Sequence, residues 1–254
     1  MKRMAILLSV SILSVAFCAS VSAAEIKVLT AGAMKSVVLA IADDFKKASG
    51  HTLAVDNETV GGLMKRIEGG ESFDLVIITP GAIADLSKKA LVVAGNAPVA
   101  RVGVGVMVKA GAPAPDVSTV DAFKRAVLAA KTVGYIDPAS GGSSGIYLTK
   151  LWEQFGIADA VKAKAKLKQG GYVADLVVSG EAELGIHQIS EIVTVSGVTL
   201  VGPLPAEIQN YTVYATAISA AAKQPDAAKA LSAFLAGPET AAVLRSKGME
   251  RPPS

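Results

Sequence analysis

The sequence predicts an α/β protein of two lobes, each a parallel or mixed sheet flanked by helices, joined by a two-strand hinge. Three observations lead there. Short apolar runs of strand type alternate with helical stripes, the pattern of βαβ units. The rhythm is interrupted by two longer β-type stretches, at residues 101–109 and 211–219. The chain has 254 residues, 51% of them hydrophobic and 19% charged, enough for one large domain or two small ones with proper cores.

The elements follow in order. Lys2 and Arg3 precede an apolar run over residues 4–18, and Val21, Ser22, Ala23 and Ala24 offer small residues for cleavage. Residues 1–24 therefore read as a signal peptide cut after Ala23 or Ala24, which predicts an exported, periplasmic protein. Cys18 is the single cysteine and follows Phe17, where a lipoprotein signal wants a small residue, so neither lipidation nor a disulfide framework is expected. Residues 26–30 form a first strand, and 34–48 a helix with Val37, Val38, Ile41 and Phe45 on one face. A strand over 52–56, a short helix over 62–68 and a strand over 74–78 come next. The last is apolar throughout, as in a strand covered on both faces. A helix spans 82–90. After the stretch 101–109, where Val102, Val104, Val106 and Val108 alternate with other residues, the rhythm restarts. Helices over 119–130, 143–155 and 172–179 alternate with strands over 132–136 and 183–187. After 211–219 come closing helices over 226–236 and 238–247. Lobe 1 is thus expected over residues 25–100 plus 214–254, and lobe 2 over 101–213.

Charge and composition exclude several functions. The formal net charge is +3, and removing Lys2 and Arg3 leaves 23 basic residues against 22 acidic ones. That balance gives no electrostatic footprint for nucleic acid. Lys162, Lys164, Lys166 and Lys168 form a basic stripe without interleaved aromatics and read as exposed surface. The two histidines, His51 and His187, fall in different lobes without a carboxylate cluster, so no metal is expected. No cofactor is expected either.

In open α/β sheets, ligands sit beyond the carboxyl ends of strands, against helix N-termini. That rule selects Ala33 and Met34 after the first strand, Thr59, Val60 and Gly61 after the second, and Thr79 after the third. In the second lobe it selects Ser140, Gly142, Ser143 and Ser144, then Tyr172, His187 and Gln188. Lys35 reads as a surface lysine near this group. Several glycine-rich turns around one point would surround a compact anion with backbone donors. One stretch suggests an enzyme instead. Gly141-Gly142-Ser143-Ser144-Gly145 matches the G-x-S-x-G nucleophile elbow, with Asp175 and His187 following in hydrolase order. Against it, residues 137–140 separate the serine from its strand, and Pro138 breaks that strand. The expectation is a binding protein without catalytic activity, with a secreted serine hydrolase as the alternative.

The chain resembles the periplasmic solute-binding proteins of ABC importers, in particular the molybdate-binding family. The resemblance is carried by residues 31–33, 63–68, 74–77, 145–147 and 180–186, and covers about residues 25–248. It implies a type II solute-binding fold and a monomer that captures a small anionic ligand for a membrane permease. That family grips an oxyanion with two first-lobe serines, second-lobe amides and a tyrosine. Here the first serine's place falls on Ala33 and the second near Val60 or Gly61, with Thr59 the nearest hydroxyl. The amide position falls on Ser144 and the tyrosine's place on Gln188. The lost hydroxyls imply weak molybdate binding and favour a ligand with an apolar part, such as a small organic acid.

Overall fold

The computed structural model describes residues 23–93 and 97–253; residues 1–22 of the expected signal segment lie outside them. The chain opens with β1 (Glu25–Ala31), α1 (Gly32–Ser49), β2 (Thr52–Glu58), α2 (Val60–Glu68), β3 (Leu75–Ile78) and α3 (Pro80–Lys88). It continues through β4 (Ala97–Val102), β5 (Val104–Lys109), α4 (Val120–Ala129), β6 (Val133–Ile136), α5 (Ser143–Gln154) and α6 (Ala158–Lys162). Then follow β7 (Ala165–Lys168), α7 (Ala174–Ser179), β8 (Leu184–Gln188), α8 (Ile189–Ile192) and β9 (Val198–Pro203). β10 (Thr212–Ile218), α9 (Pro225–Ala236) and α10 (Thr240–Ser246) close it.

The strands form two five-stranded mixed sheets, ordered β2-β1-β3-β10-β4 and β7-β6-β8-β5-β9. In the first, β1 pairs parallel with β2 and β3, while β10 runs antiparallel to β3 and β4. In the second, β6 is parallel to β7 and β8, and β5 is antiparallel to β8 and β9. Helices cover both faces of each sheet, which explains the unbroken apolar run of β3. On the first sheet, Val37, Val38, Ile41 and Phe45 of α1 pack with Leu231 and Leu235 of α9 on one face. Leu63, Ile67, Ile83 and Leu86 of α2 and α3 fill the other. On the second, Trp152 lies fully inside, stacked 5.9 Å from Phe123, and Val173, Val177 and Ile192 cover the opposite face with Met107.

The stretch expected as one strand over 101–109 is two. It breaks at Gly103, so that β4 ends in the first sheet and β5 begins in the second. The chain therefore crosses between sheets at Gly103 and returns through Gln209–Tyr211. Gln209 clamps the two crossings: its Oε1 accepts from Val104 N at 2.8 Å and its Nε2 donates to Val104 O at 3.0 Å. A side chain at position 103 would press within 3.0 Å of that amide, hence the glycine. The lysine stripe was expected to be plain surface. Lys162 and Lys166 are indeed exposed, and Lys166 and Lys168 lie on β7, at the sheet edge, where lysine discourages pairing with a further strand.

Two polar devices tie the first lobe together. The buried Asp74 carboxylate accepts three backbone N–H groups, from Lys27 at 2.9 Å, Lys223 at 2.8 Å and Gln224 at 2.9 Å. It thereby joins β1 to the start of α9. Near the C-terminus, the Arg251 guanidinium donates to the carbonyls of Val99 and Leu235 at 2.6 Å each.

Candidate functional site

The carboxyl ends of β1, β2, β6 and β8 face one another across a narrow cleft. Its walls are built from Ala31, Gly32, Ala33, Asn57, Glu58, Thr59 and Val60 on one side, and Ile136, Gly142, Ser143, Ser144 and Gly171 on the other. His187, Gln188, Glu191 and Tyr214 complete it. Three helices begin at this cavity: α1 at Gly32, α2 at Val60 and α5 at Ser143. The first turn of a helix carries N–H groups with no intrahelical partner. In α2 the Thr59 hydroxyl takes one of them, from Gly62 N at 3.0 Å. The 18-residue α1 and the 12-residue α5 have no side-chain cap, their cap positions being Ala31 and Gly142. Their free donors and the positive ends of their dipoles are left for whatever occupies the cleft.

Of the residues selected from sequence, Ala33, Thr59, Val60, Gly142, Ser143, Ser144, His187 and Gln188 come together around this cavity. Gly61 and Ser140 lie at its mouth, where the two lobes touch. Gly61 N donates to Gly141 O at 3.2 Å, and the Thr59 hydroxyl donates to Ser140 O at 2.6 Å. The lobes are thus closed on each other, and the Thr59 hydroxyl is fully committed to cap and lip. Three selected residues fall elsewhere. α1 begins two residues before the apolar stripe suggested, which turns Met34 into the first lobe's core, fully buried. Thr79 occupies the N-cap position of α3, opened by Pro80, outside the cavity. Tyr172 packs against the cluster around Val173 and Val177, and its neighbour Gly171 takes the lining position instead. Lys35 does not line the cavity.

A buried network crosses the cleft floor. Tyr214 Oη donates to Gln188 Oε1 at 2.7 Å, and Gln188 Nε2 donates to Ser143 Oγ at 2.8 Å and Thr212 Oγ1 at 3.1 Å. Gln188 is therefore satisfied by the protein and positions its neighbours. Ser143 Oγ accepts from Gln188, so its own O–H remains available as a donor. This geometry removes the nucleophile-elbow reading. Ser143 opens a helix and is bonded to an amide, with no base activating it. Gly145 is glycine because a Cβ there would lie 2.1 Å from Ile136 O. Asp175 is half exposed and paired with Lys168 at 2.9 Å.

Sequence reasoning missed Glu191. It sits on the four-residue α8, which lies between the lobes, and its Oε1 would come within 2.6 Å of a Cβ at position 32. Gly32 is bare for that reason. Glu191 Oε2 lies 3.3 Å from His187 Nδ1, which has no hydrogen-bond partner. Only the H-x-x-x-E spacing hinted at the pair. Burial pushes the Glu191 carboxyl up to about 8 and the His187 imidazole down to about 3. At neutral pH the pair holds one proton.

The two shifts have opposite signs in stability. Glu191 retains in the folded state a proton that the unfolded chain releases above its ordinary pKa of 4.5, so its contribution falls as pH rises towards about 8. His187 refuses a proton that the unfolded chain binds below 6.5, so its contribution rises from about pH 3 to 6.5. The two slopes oppose each other between 4.5 and 6.5, leaving Glu191 alone to erode stability from 6.5 to about 8. Urea unfolding across that upper window should show the decline in the wild type and its loss in Glu191→Gln. An unchanged slope in the variant would assign the decline elsewhere.

Two α/β lobes, crossed twice by the chain and closed over a cleft of helix N-termini, define the class of two-lobed binding proteins. The chain belongs to the bacterial extracellular solute-binding protein family, whose model matches residues 26–250. It is 30% identical over 238 residues to an aconitate isomerase from Pseudomonas sp, covering 89% of this chain and 88% of that one. It is 29% identical over 241 residues to the molybdate-binding protein ModA of Azotobacter vinelandii, covering 89% and 90% of the two chains. The solved structure of the Azotobacter vinelandii periplasmic molybdate-binding protein superposes with a TM-score of 0.75 at 18% identity, over 90% of this chain and all of that one. No helix among the described residues is long and apolar enough to cross a membrane.

Proposed function

We propose that this protein is a periplasmic monomer that captures a small organic polycarboxylate between its lobes and presents it to the membrane permease of an ABC importer. In this reading lobe 1 comprises residues 25–102 and 212–253, and lobe 2 residues 103–211. One observation carries the ligand class: the uncapped N-termini of α1 and α5 meet at the cavity, and no lysine or arginine lines it. Backbone donors of this kind suit carboxylate oxygens. Ala33 and Val60 supply apolar contacts for a carbon skeleton. The Ser143 hydroxyl and the amides of Ser143 and Ser144 serve the anionic groups from the second lobe. A tetrahedral inorganic oxyanion fits less well, because it has no carbon skeleton to meet Ala33 and Val60, and an oxygen turned towards them would lack a donor at a cost of about 1–3 kcal/mol. The aconitate isomerase relative supports the same class, since aconitate is an unsaturated tricarboxylate.

Titration calorimetry with succinate, citrate, cis- and trans-aconitate, sulfate and molybdate tests the reading. A polycarboxylate should bind with a dissociation constant of about 1 μM or below, about −8 kcal/mol. At about 100 times that constant it should stabilise the fold by about 2.7 kcal/mol. Molybdate should bind more weakly than about 1 μM. A nanomolar constant for molybdate with no polycarboxylate binding would overturn the assignment.

A further inference from the structure

We infer that Glu191, with His187 beside it, is the general base of a proton shift along an unsaturated carboxylic acid held in the cleft. The inference rests on the polycarboxylate reading above and adds a reaction to it. Most polar groups around the cavity already have protein partners. Gln188 is held by Tyr214, Ser143 and Thr212, and the Thr59 hydroxyl by Gly62 and Ser140. Among the described lining residues, His187 is the one with a fully buried polar side-chain atom that lacks a hydrogen bond, and Glu191 faces it. Their close polar atoms face each other at 3.3 Å, His187 Nδ1 has no hydrogen bond, and both side chains are almost entirely buried. A site that only binds anions gains nothing from a buried carboxylate, which repels the ligand when ionised and costs stability when unpaired. An acid–base pair that carries a single proton, inside a closed cleft, suits proton transfer to carbon.

The step balances without any further reagent. The substrate carries a C–H bond flanked by a carboxylate and a C=C bond. In its ionised form, beside a neutral His187, the Glu191 carboxylate takes the proton from that carbon and becomes the carboxylic acid. The electron pair spreads over the three allylic carbons and into the attached carboxylate. Glu191 then returns the proton to the far allylic carbon. One C–H bond breaks, one forms, and the double bond moves by one position, so the product is an isomer of the substrate. The free N–H groups of α1 and α5 face the carboxylates that receive the charge, where preorganised donors act most strongly. Gly32, bare beneath Oε1, leaves the carboxylate room at this position.

The test uses the full chain and the trans isomer of the tricarboxylate probe in deuterium oxide, followed by proton NMR. The wild type should form the cis isomer, with deuterium at the far allylic carbon in those turnovers where the Glu191 proton exchanges with solvent before its return. Glu191→Gln should still be stabilised thermally by the probe, with its conversion and deuterium uptake lowered about 10²–10⁴-fold. Glu191→Asp, which keeps the base but retracts it, should recover part of the loss. Wild-type binding without conversion or exchange overturns the catalytic assignment and leaves the polycarboxylate reading standing. Conversion undiminished in Glu191→Gln also overturns it. Absence of both binding and conversion overturns the two together.

Discussion

Replacing Gly61 by valine is expected to hold the two lobes apart. Gly61 is the second residue of α2, so a side chain there suits the helix, and valine's helix propensity is about 0.3 kcal/mol better than glycine's. Across the cleft the position is different. A Cβ on residue 61 would stand 2.7 Å from Gly141 Cα and 2.9 Å from Ser140 O. Both are backbone atoms and cannot rotate aside. The variant loses the lip contacts Gly61 N to Gly141 O and Thr59 Oγ1 to Ser140 O, each worth about 0.5–1.5 kcal/mol net. It also leaves the ligand open to solvent on one side. Affinity for the cleft ligand should fall about 100-fold, which is about 2.7 kcal/mol. Small-angle scattering should show a larger radius of gyration for ligand-saturated Gly61→Val than for ligand-saturated wild type. Equal compaction and equal affinity would mean that the lip is not part of closure.

Asp74→Ala is expected to produce the largest loss of fold stability. Its carboxylate is the partner of three backbone N–H groups, from Lys27, Lys223 and Gln224. Removing it leaves those donors buried or half-buried without acceptors, at about 1–3 kcal/mol for each one that water cannot reach. A total of about 3–5 kcal/mol is expected, comparable to breaking a buried charge from its partners. The midpoint of urea unfolding should move accordingly, while the second lobe's Trp152 environment, far from the change, keeps its native fluorescence before the transition. Asp74→Asn should recover part of the loss, because its amide oxygen still accepts. A loss below about 1 kcal/mol in Asp74→Ala would show that water replaces the carboxylate.

How much of this was legible in the sequence depends on whether the signal is local. The alternation of β and α elements was, because periodicity is a property of neighbours in the chain. So were the loops after β1, β2 and β6, since small residues between a strand and a helix mark where a backbone turns into a cleft. Ala33, Val60 and Ser143 were placed beside the cavity in this way. Gly103 was missed as a breakpoint because the valine alternation runs straight through it; only the opposing Gln209 shows that two sheets meet there. β9 was missed because it contains Gly202 and Pro203 and is half exposed, so its apolar pattern is weak. Glu191 was illegible for a different reason. A glutamate on a four-residue helix ordinarily faces water, and only the docking of α8 against α1 buries it over Gly32. Tyr214 was visible as part of a β stretch, but its role in holding Gln188 depends on two segments from different sheets.

The lip has a bearing on how such a protein diversifies. Its acceptors are main-chain carbonyls, and one of its donors is a main-chain amide, so the seam that joins the lobes owes little to the side chains in the cavity behind it. Substitutions at Ala33, Val60 or Ser143 can alter which solute is chosen while the outline of the closed molecule stays constant. A transporter that reads that outline would accept each new cargo without changing its own docking face. Selectivity is then free to drift on the inside of the molecule while the outside stays fixed by its partner.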